Sequence, residues 1–128
     1  MNDLINAINS IYYSVINDIS INVFNKEIKF DLTLHDIGNI SSHIMRFKNV
    51  ESFLWIEKPK DSKFYSFPKC EYYELTSIVL KKIHINTDDD WFKQYLMEYN
   101  VVIEIWDTAL LIRATELLID NELFLISQ

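Results

Sequence analysis

Glycine, proline and cysteine are nearly absent from this chain. Its 128 residues include one Gly, two Pro and a single cysteine, Cys70. One cysteine excludes an internal disulfide framework, as expected for a reducing compartment, and we expect Cys70 to be an inert thiol. One glycine excludes a phosphate-cradling loop, which needs several. The turns must therefore be built largely from Asn, Asp and Lys.

A targeting segment and long hydrophobic runs are also missing. Met1 is followed by Asn2 and Asp3 rather than by the basic residues that begin a signal peptide. Charged residues interrupt every apolar run, so no segment is long enough to span a bilayer. We therefore expect a cytoplasmic protein with one domain over residues 1–128, whose 49% hydrophobic content supplies the core.

Basic residues are scarce in the last third of the chain. Up to residue 86, ten Lys/Arg balance ten Asp/Glu, whereas the remainder holds nine acidic residues and only Lys93 and Arg113. This remainder accounts for the whole net charge of −7. One-sided negative charge attracts cationic partners and repels nucleic acid and anionic membranes. We expect a basic protein partner, and neither nucleic acid nor a membrane.

Two segments have the sequence pattern of helices. The apolar residues over 3–17 recur at helical spacing and predict an amphipathic helix. Thr87 followed by Asp90 resembles a capping box and indicates a second, short helix near residue 90. In that helix Trp91, Tyr95 and Leu96 would share one face.

Elsewhere apolar and polar residues alternate, as in strands with one buried face. Residues 19–34 predict a hairpin around a turn at 25–27, and Lys58–Lys69, with both prolines, predicts a loop. Further β-like runs occupy residues 40–48, 50–57, 71–86, 100–106, 110–119 and 123–126. We predict an α+β fold that is mainly antiparallel β, with about seven to eight strands, an N-terminal helix packed on the sheet and a short second helix near residue 90.

Catalytic and metal-binding motifs are not found. His35, His43 and His84 are widely separated in sequence, and only His35 and His43 are placed to meet across a hairpin. A Zn²⁺ site there would need another ligand and no cysteine lies nearby, so we expect no metal site. Glu104 and Glu116 are placed to face each other across the last hairpin, as a glycosidase pair would, but such pairs are common by chance in acidic chains. No serine has the flanking glycines of a nucleophile elbow. We expect a non-enzymatic protein without a cofactor.

Aromatic residues make up 14% of the chain, and most of them, including Trp55, Trp106 and Tyr99, are expected in the core. Trp91 is the exception, because an aromatic anchor beside aspartates is typical of a hot spot for a basic partner. The same aspartates could instead serve the helix N-terminus through its macrodipole. The predicted partner-binding residues are Asp88, Asp89, Asp90, Trp91, Glu98, Glu104 and Glu116.

The order of these elements resembles a known group of bacterial proteins across residues 8–122. The helix leads into Asp18-Ile19-Ser20-Ile21, then an alternating hairpin, then the segment FKNVESF at 47–53 and ELTSI at 74–78, with the last hairpin at 100–116. This layout is similar to the small cytoplasmic immunity proteins of polymorphic and contact-dependent toxin systems, most of all the YxiG-like family.

The resemblance implies a function for the acidic surface. It implies a non-enzymatic antitoxin that binds the C-terminal domain of its cognate toxin as a monomer in a 1:1 complex. A basic nuclease toxin would suit an acidic inhibitor that occupies the active site, since complementary charge accelerates encounter. An adaptor module without a toxin target and a small-molecule-binding β domain remain alternatives.

Overall fold

The computed structural model describes residues 2–57, 73–95 and 97–127, and the predicted loop Lys58–Lys69 and Cys70 lie outside them. The described residues form two helices and ten strands. In chain order these are α1 (Asn2–Asn9), β1 (Val15–Asn22), β2 (Glu27–Asp36), β3 (Asn39–Lys48), β4 (Ser52–Glu57), β5 (Tyr73–Glu74), β6 (Ser77–His84), α2 (Asp90–Lys93), β7 (Glu98–Ile105), β8 (Thr108–Arg113), β9 (Glu116–Ile119) and β10 (Glu122–Leu125).

The strands form two antiparallel sheets that share one core. The six-stranded sheet has the order β10-β9-β3-β2-β1-β5, and the four-stranded sheet has the order β4-β8-β7-β6. Leu4 and Ile8 of α1 join the core formed by the inner residues of both sheets. The predicted α+β class, dominated by antiparallel β with an N-terminal helix on the sheet, is therefore confirmed.

The alternation in the sequence sets the buried face of each strand. In β2, Ile28, Phe30 and Leu32 are fully buried, whereas the residues between them are not. Their partners on β3 include Phe47, opposite Ile28, and Met45, opposite Phe30. Directly opposite residues share a face, so these side chains form a continuous apolar layer. The rings of Phe30 and Phe47 meet nearly edge-on, with centroids 6.2 Å apart.

The N-terminal helix is shorter than predicted, and the expectation of a helix over 3–17 is wrong beyond Asn9. The Ser10 hydroxyl donates to the Ala7 carbonyl, and Tyr13 adopts a left-handed conformation that interrupts a helix. The apolar residues that follow belong to β1, where Ile16 pairs with Leu32. Strand pairing uses these β-branched residues better than a helix would.

The described strand count exceeds the predicted seven to eight for two reasons. β5 contains only two residues, and the run predicted over 110–119 divides into β8 and β9. The chain crosses from the four-stranded to the six-stranded sheet at Ala114 and Thr115. Ala114 is fully buried at this crossing, and its backbone N–H and C=O both bond to the Asn100 side chain.

Turns use left-handed residues other than glycine, as the composition requires. Lys26, Asn49, Asp120 and Asn121 have positive φ angles, in addition to Gly38. Asn and Asp tolerate this conformation because their short side chains bond locally to the backbone. The pair Asp120-Asn121 connects β9 to β10 in two residues with positive φ, the geometry that suits the twist of a hairpin.

Candidate functional site

A loop that carries three aromatic side chains connects β6 to β7. We name residues 87–95 the aromatic loop. Below it, His84 pairs with Glu98, and the Ile85 N–H donates to the Met97 carbonyl at 2.9 Å. The hairpin ladder thus continues to the base of the loop, and the loop lies at its end. Such a position on a rigid ladder is typical of binding loops.

Asp89 caps the helix inside the loop. Its carboxylate accepts a hydrogen bond from the Trp91 backbone N–H at 2.8 Å, as an N-cap side chain does. The hydroxyl oxygen of Thr87 accepts from the Asp89 N–H at 3.2 Å. The predicted short helix near residue 90 is confirmed, but the cap is Asp89 and not the predicted pair Thr87 and Asp90. Asp89 therefore has the alternative role predicted for the aspartates, which is to stabilise the N-terminus of the helix.

Three aromatic side chains of the loop lie at the surface, and the ring of Trp91 contacts the other two. Trp91 is 59% exposed, and Phe92 and Tyr95 are also exposed; no residue of α2 is buried. The Trp91 ring lies 4.8 Å from that of Phe92 and 5.1 Å from that of Tyr95, measured between centroids. Exposed aromatic clusters of this kind mark interaction surfaces, because Trp and Tyr dominate protein-binding hot spots.

The charges of the aromatic loop are mainly negative. Asp88 and Asp90 are exposed, and Lys93 approaches Asp90 with its Nζ at 3.4 Å from the carboxylate. An exposed ion pair one turn apart on a helix contributes little to stability. The aromatic cluster is thus flanked by two carboxylates that are not needed as caps.

The other predicted contact residues are dispersed. Glu98 lies at the base of the loop, where Arg113 Nη1 is 3.3 Å and His84 Nδ1 is 3.6 Å from its carboxylate. Glu104 lies at the other end of β7, about 20 Å away along the strand, and accepts from the Ser77 hydroxyl. The structure therefore places Glu98 at the base of the loop that carries Asp88, Asp89, Asp90 and Trp91, and Glu104 elsewhere.

Glu116 belongs to the other sheet. It lies on β9 opposite Lys48, a favourable cross-strand pair of opposite charges. Glu104 lies opposite Ala109 on one side and Ser77 on the other. The expectation that Glu104 and Glu116 face each other is wrong, because the chain changes sheets between β8 and β9.

The expectation that most tryptophans and tyrosines are buried is wrong among the described residues. Tyr99 is buried, but Trp55 and Trp106 are 44% and 41% exposed, and Tyr73 is exposed. Trp55 lies on β4, an edge strand, and Trp106 lies in the turn between β7 and β8. The core is filled by Ile, Leu, Phe and Met side chains instead.

Sequence reasoning did not include Phe92 and Tyr95 in the site. The signal was the spacing of three aromatics at 91, 92 and 95 directly after an aspartate run. The Trp91 and Tyr95 rings do meet, although Tyr95 lies beyond Lys93, the last residue of α2. Leu96, predicted on the same face, lies outside the described residues. Only the structure shows that α2 has no core to cover and that the cluster therefore faces solvent.

Neither a cluster of metal-ligand side chains nor a membrane-spanning helix is found in the part of the chain that the structure describes. In residues 2–57, 73–95 and 97–127, no three His, Cys, Asp or Glu side chains are grouped as metal ligands would be. His35 and His43 pair with Ile40 and Leu32 rather than with each other. Within the same residues, no helix is long and apolar enough to cross a membrane.

A family model described as YxiG-like protein matches residues 4–124 of the chain. The chain belongs to the YxiG-like family. The match covers both sheets and the aromatic loop of this YxiG-like protein, which confirms the family part of the resemblance seen in the sequence. A comparison with curated proteins yields no match.

Removing the cap of α2 is expected to loosen the aromatic loop. Asp89→Ala loses the side-chain bond to the Trp91 N–H, which costs about 1 kcal/mol. We expect faster hydrogen exchange at residues 91–94, with little change in the global unfolding transition, because α2 buries nothing in the core. Asp88→Ala removes the same charge without the cap and should leave exchange unchanged. Equal exchange in the two variants would contradict the role of Asp89.

Proposed function

We propose that this YxiG-like protein is an immunity protein that binds and neutralises a cognate bacterial toxin domain. The observation that carries the proposal is the exposed cluster of Trp91, Phe92 and Tyr95 directly after the aspartates at 88–90. Membership in the YxiG-like family is compatible with this function. Binding alone would inhibit the toxin, so the function requires no catalysis.

The aromatic loop would supply the affinity. Aromatic side chains carry large apolar surfaces with few rotatable bonds, so they lose little entropy on binding. The Trp91 ring already contacts the other two, and the cap at Asp89 fixes the backbone of Trp91. Preorganised anchors of this kind reduce the entropic cost of association. The cluster suits an apolar cleft bordered by basic side chains.

The carboxylates would raise the rate of association and favour basic partners over others. Asp88 and Asp90 border the aromatic cluster, and the last third of the chain carries the net charge of −7. Negative charge around an anchor attracts a basic active site such as that of a nuclease toxin, where phosphates bind. We place the complex in the cytoplasm of the producing cell, with one chain per toxin domain.

The proposal is tested by comparing variants as affinity baits in extracts of the source cells. Wild type and Phe24→Ala should retain one basic protein, and Trp91→Ala with Phe92→Ala should lose it. Phe24 is the matched control, since it is an aromatic residue that is 94% exposed in a turn of the other sheet. The retained protein must also be toxic when expressed alone. A harmless partner would contradict the immunity function, and retention by the double variant would contradict the site.

Reversing the charges of Asp88 and Asp90 is expected to slow association. Asp88→Lys with Asp90→Lys keeps the cap at Asp89 and should lower the association rate with the captured toxin domain by about tenfold or more at low salt. Thermal unfolding should be unchanged, because both residues are exposed. The measurement is stopped-flow binding at several salt concentrations.

The matched control changes the net charge equally on the six-stranded sheet. Asp36→Lys with Glu122→Lys alters two exposed acidic residues that lie on β2 and β10. This variant should associate nearly as fast as wild type. If both double variants slow association equally, the position of the charges does not matter and the proposed docking surface is wrong.

A further inference from the structure

A serine, a histidine and an aspartate form a hydrogen-bonded chain at one end of the six-stranded sheet. Ser41 and His43 are two residues apart on β3, so their side chains share a face. The Ser41 Oγ lies 2.8 Å from His43 Nε2, and His43 Nδ1 lies 2.6 Å from the Asp120 carboxylate. Asp120 comes from the turn between β9 and β10, 77 residues from His43.

The aspartate determines the role of each imidazole nitrogen. An ionised carboxylate only accepts hydrogen bonds, so His43 Nδ1 carries the proton that is donated to Asp120. In the neutral ring Nε2 is then the acceptor, and the Ser41 hydroxyl donates to it. The other oxygen of Asp120 accepts from the Ile44 N–H at 3.0 Å, which fixes the carboxylate in place. This is the order of contacts that activates a serine nucleophile.

The backbone beside Ser41 offers a donor for a developing oxyanion. Ile44 directs its N–H and C=O toward Asp120. Because these groups alternate between the two sides of a strand, the Ser42 N–H points the same way. On that side no described strand pairs with β3 before Met45. The N–H of the residue that follows a nucleophile is a common oxyanion donor.

We propose that Ser41, His43 and Asp120 form a nucleophilic serine site for small activated acyl and phosphonyl compounds. Ser41 is the nucleophile, His43 the general base, and Asp120 the positioning residue. The site belongs to the six-stranded sheet, whereas the aromatic loop belongs to the four-stranded sheet. It is therefore independent of the proposed toxin binding. Ser41 and Asp120 are exposed, so water weakens electrostatic stabilisation and turnover is slow.

The reaction with an ester proceeds through an acyl-serine. Ser41 Oγ forms a bond to the carbonyl carbon while its proton passes to His43 Nε2. The ester C–O bond breaks, and His43 returns the proton to the leaving alcohol. Water then gives a proton to His43 and its oxygen to the acyl carbon. The bond between that carbon and Ser41 Oγ breaks, His43 passes the proton to Oγ, and the acid is released. The net reaction is ester plus water to acid plus alcohol.

The test uses a fluorophosphonate probe on the full chain, followed by peptide mass spectrometry. Ser41 Oγ bonds to phosphorus, the P–F bond breaks, and the serine proton leaves through His43 with fluoride. We expect the label on Ser41, no label in Ser41→Ala, and labelling slowed by about a hundredfold or more in His43→Gln. Ser20→Ala is the matched control, since Ser20 is an exposed serine on β1 whose hydroxyl donates to Asp18 at 3.0 Å rather than to a histidine, and this variant should label as wild type does.

Asp120 is tested by the concentration dependence of labelling. Asp120→Asn keeps an oxygen for the Ile44 N–H but removes the charge that holds the imidazole. The maximal labelling rate should fall, whereas the half-saturating probe concentration should stay unchanged. A folding defect would not lower the first quantity alone. Absence of label on Ser41 in wild type, or equal labelling of Ser41→Ala, would overturn the proposal. An unchanged rate in His43→Gln would also overturn it.

Discussion

Replacing Asn100 with alanine is expected to lower the free energy of unfolding by about 3 kcal/mol. Asn100 is 3% exposed, and its carboxamide bonds to both backbone groups of Ala114, at 3.0 Å to the N–H and 2.7 Å to the C=O. It also donates to the Ser127 carbonyl at 3.0 Å. Alanine would leave the buried N–H and C=O of Ala114 without these partners, and each such group costs roughly 1–3 kcal/mol.

The effect is large because Asn100 holds the crossing between the two sheets. Chemical denaturation of wild type and Asn100→Ala measures it directly. Val102→Ala is the matched control, since Val102 is half-buried on the same face of β7 and makes no polar contact. It should cost about 1 kcal/mol, the value for removing a partly buried pair of methyl groups. If Asn100→Ala costs no more than Val102→Ala, the bonds to Ala114 do not stabilise the crossing.

Trp91→Ala is expected to weaken binding of the captured toxin domain by at least about 2 kcal/mol, which is roughly 30-fold in Kd. The variant removes the central ring of the cluster, which contacts both Phe92 and Tyr95. Stability should be unchanged, because Trp91 is 59% exposed and α2 has no buried residue. Titration calorimetry measures the affinity, and thermal unfolding measures stability.

The control for this variant is again Phe24→Ala, on the turn between β1 and β2. It removes an aromatic ring of greater exposure from the other sheet and should leave Kd within about twofold, since surface positions outside an interface contribute little. Equal loss of affinity in the two variants would show that general surface apolarity, and not the aromatic loop, drives association. A stability loss in Trp91→Ala would show that the ring packs on the body of the protein.

The sequence predicts the strands well where burial has a period of two. The alternation over Ile28, Phe30 and Leu32 identifies both the strand and its inner face, because a shift by one residue would expose the whole set. The spacing of apolar residues does not identify the structure over residues 3–17, because it fits a helix as well as it fits a strand. Tertiary pairing decides that segment, since Ile16 finds partners on β2.

The sites depend on contacts that spacing alone does not reveal. Trp91 could be singled out from its aspartate neighbours, but its exposure follows from a loop without a core beneath it. His43 and Asp120 are 77 residues apart, and they meet only because β9 pairs with β3 after the chain changes sheets. The mistaken pairing of Glu104 with Glu116 has the same cause.

The most direct test of the proposed function is growth of cells that express the captured toxin domain together with each variant of this chain. Wild type and Phe24→Ala should allow normal growth. The variant with alanine at Trp91, Phe92 and Tyr95 should accumulate to the same level and fail to protect. Growth arrest with wild type would contradict neutralisation of that toxin, and full protection by the triple variant would contradict the role of the aromatic loop.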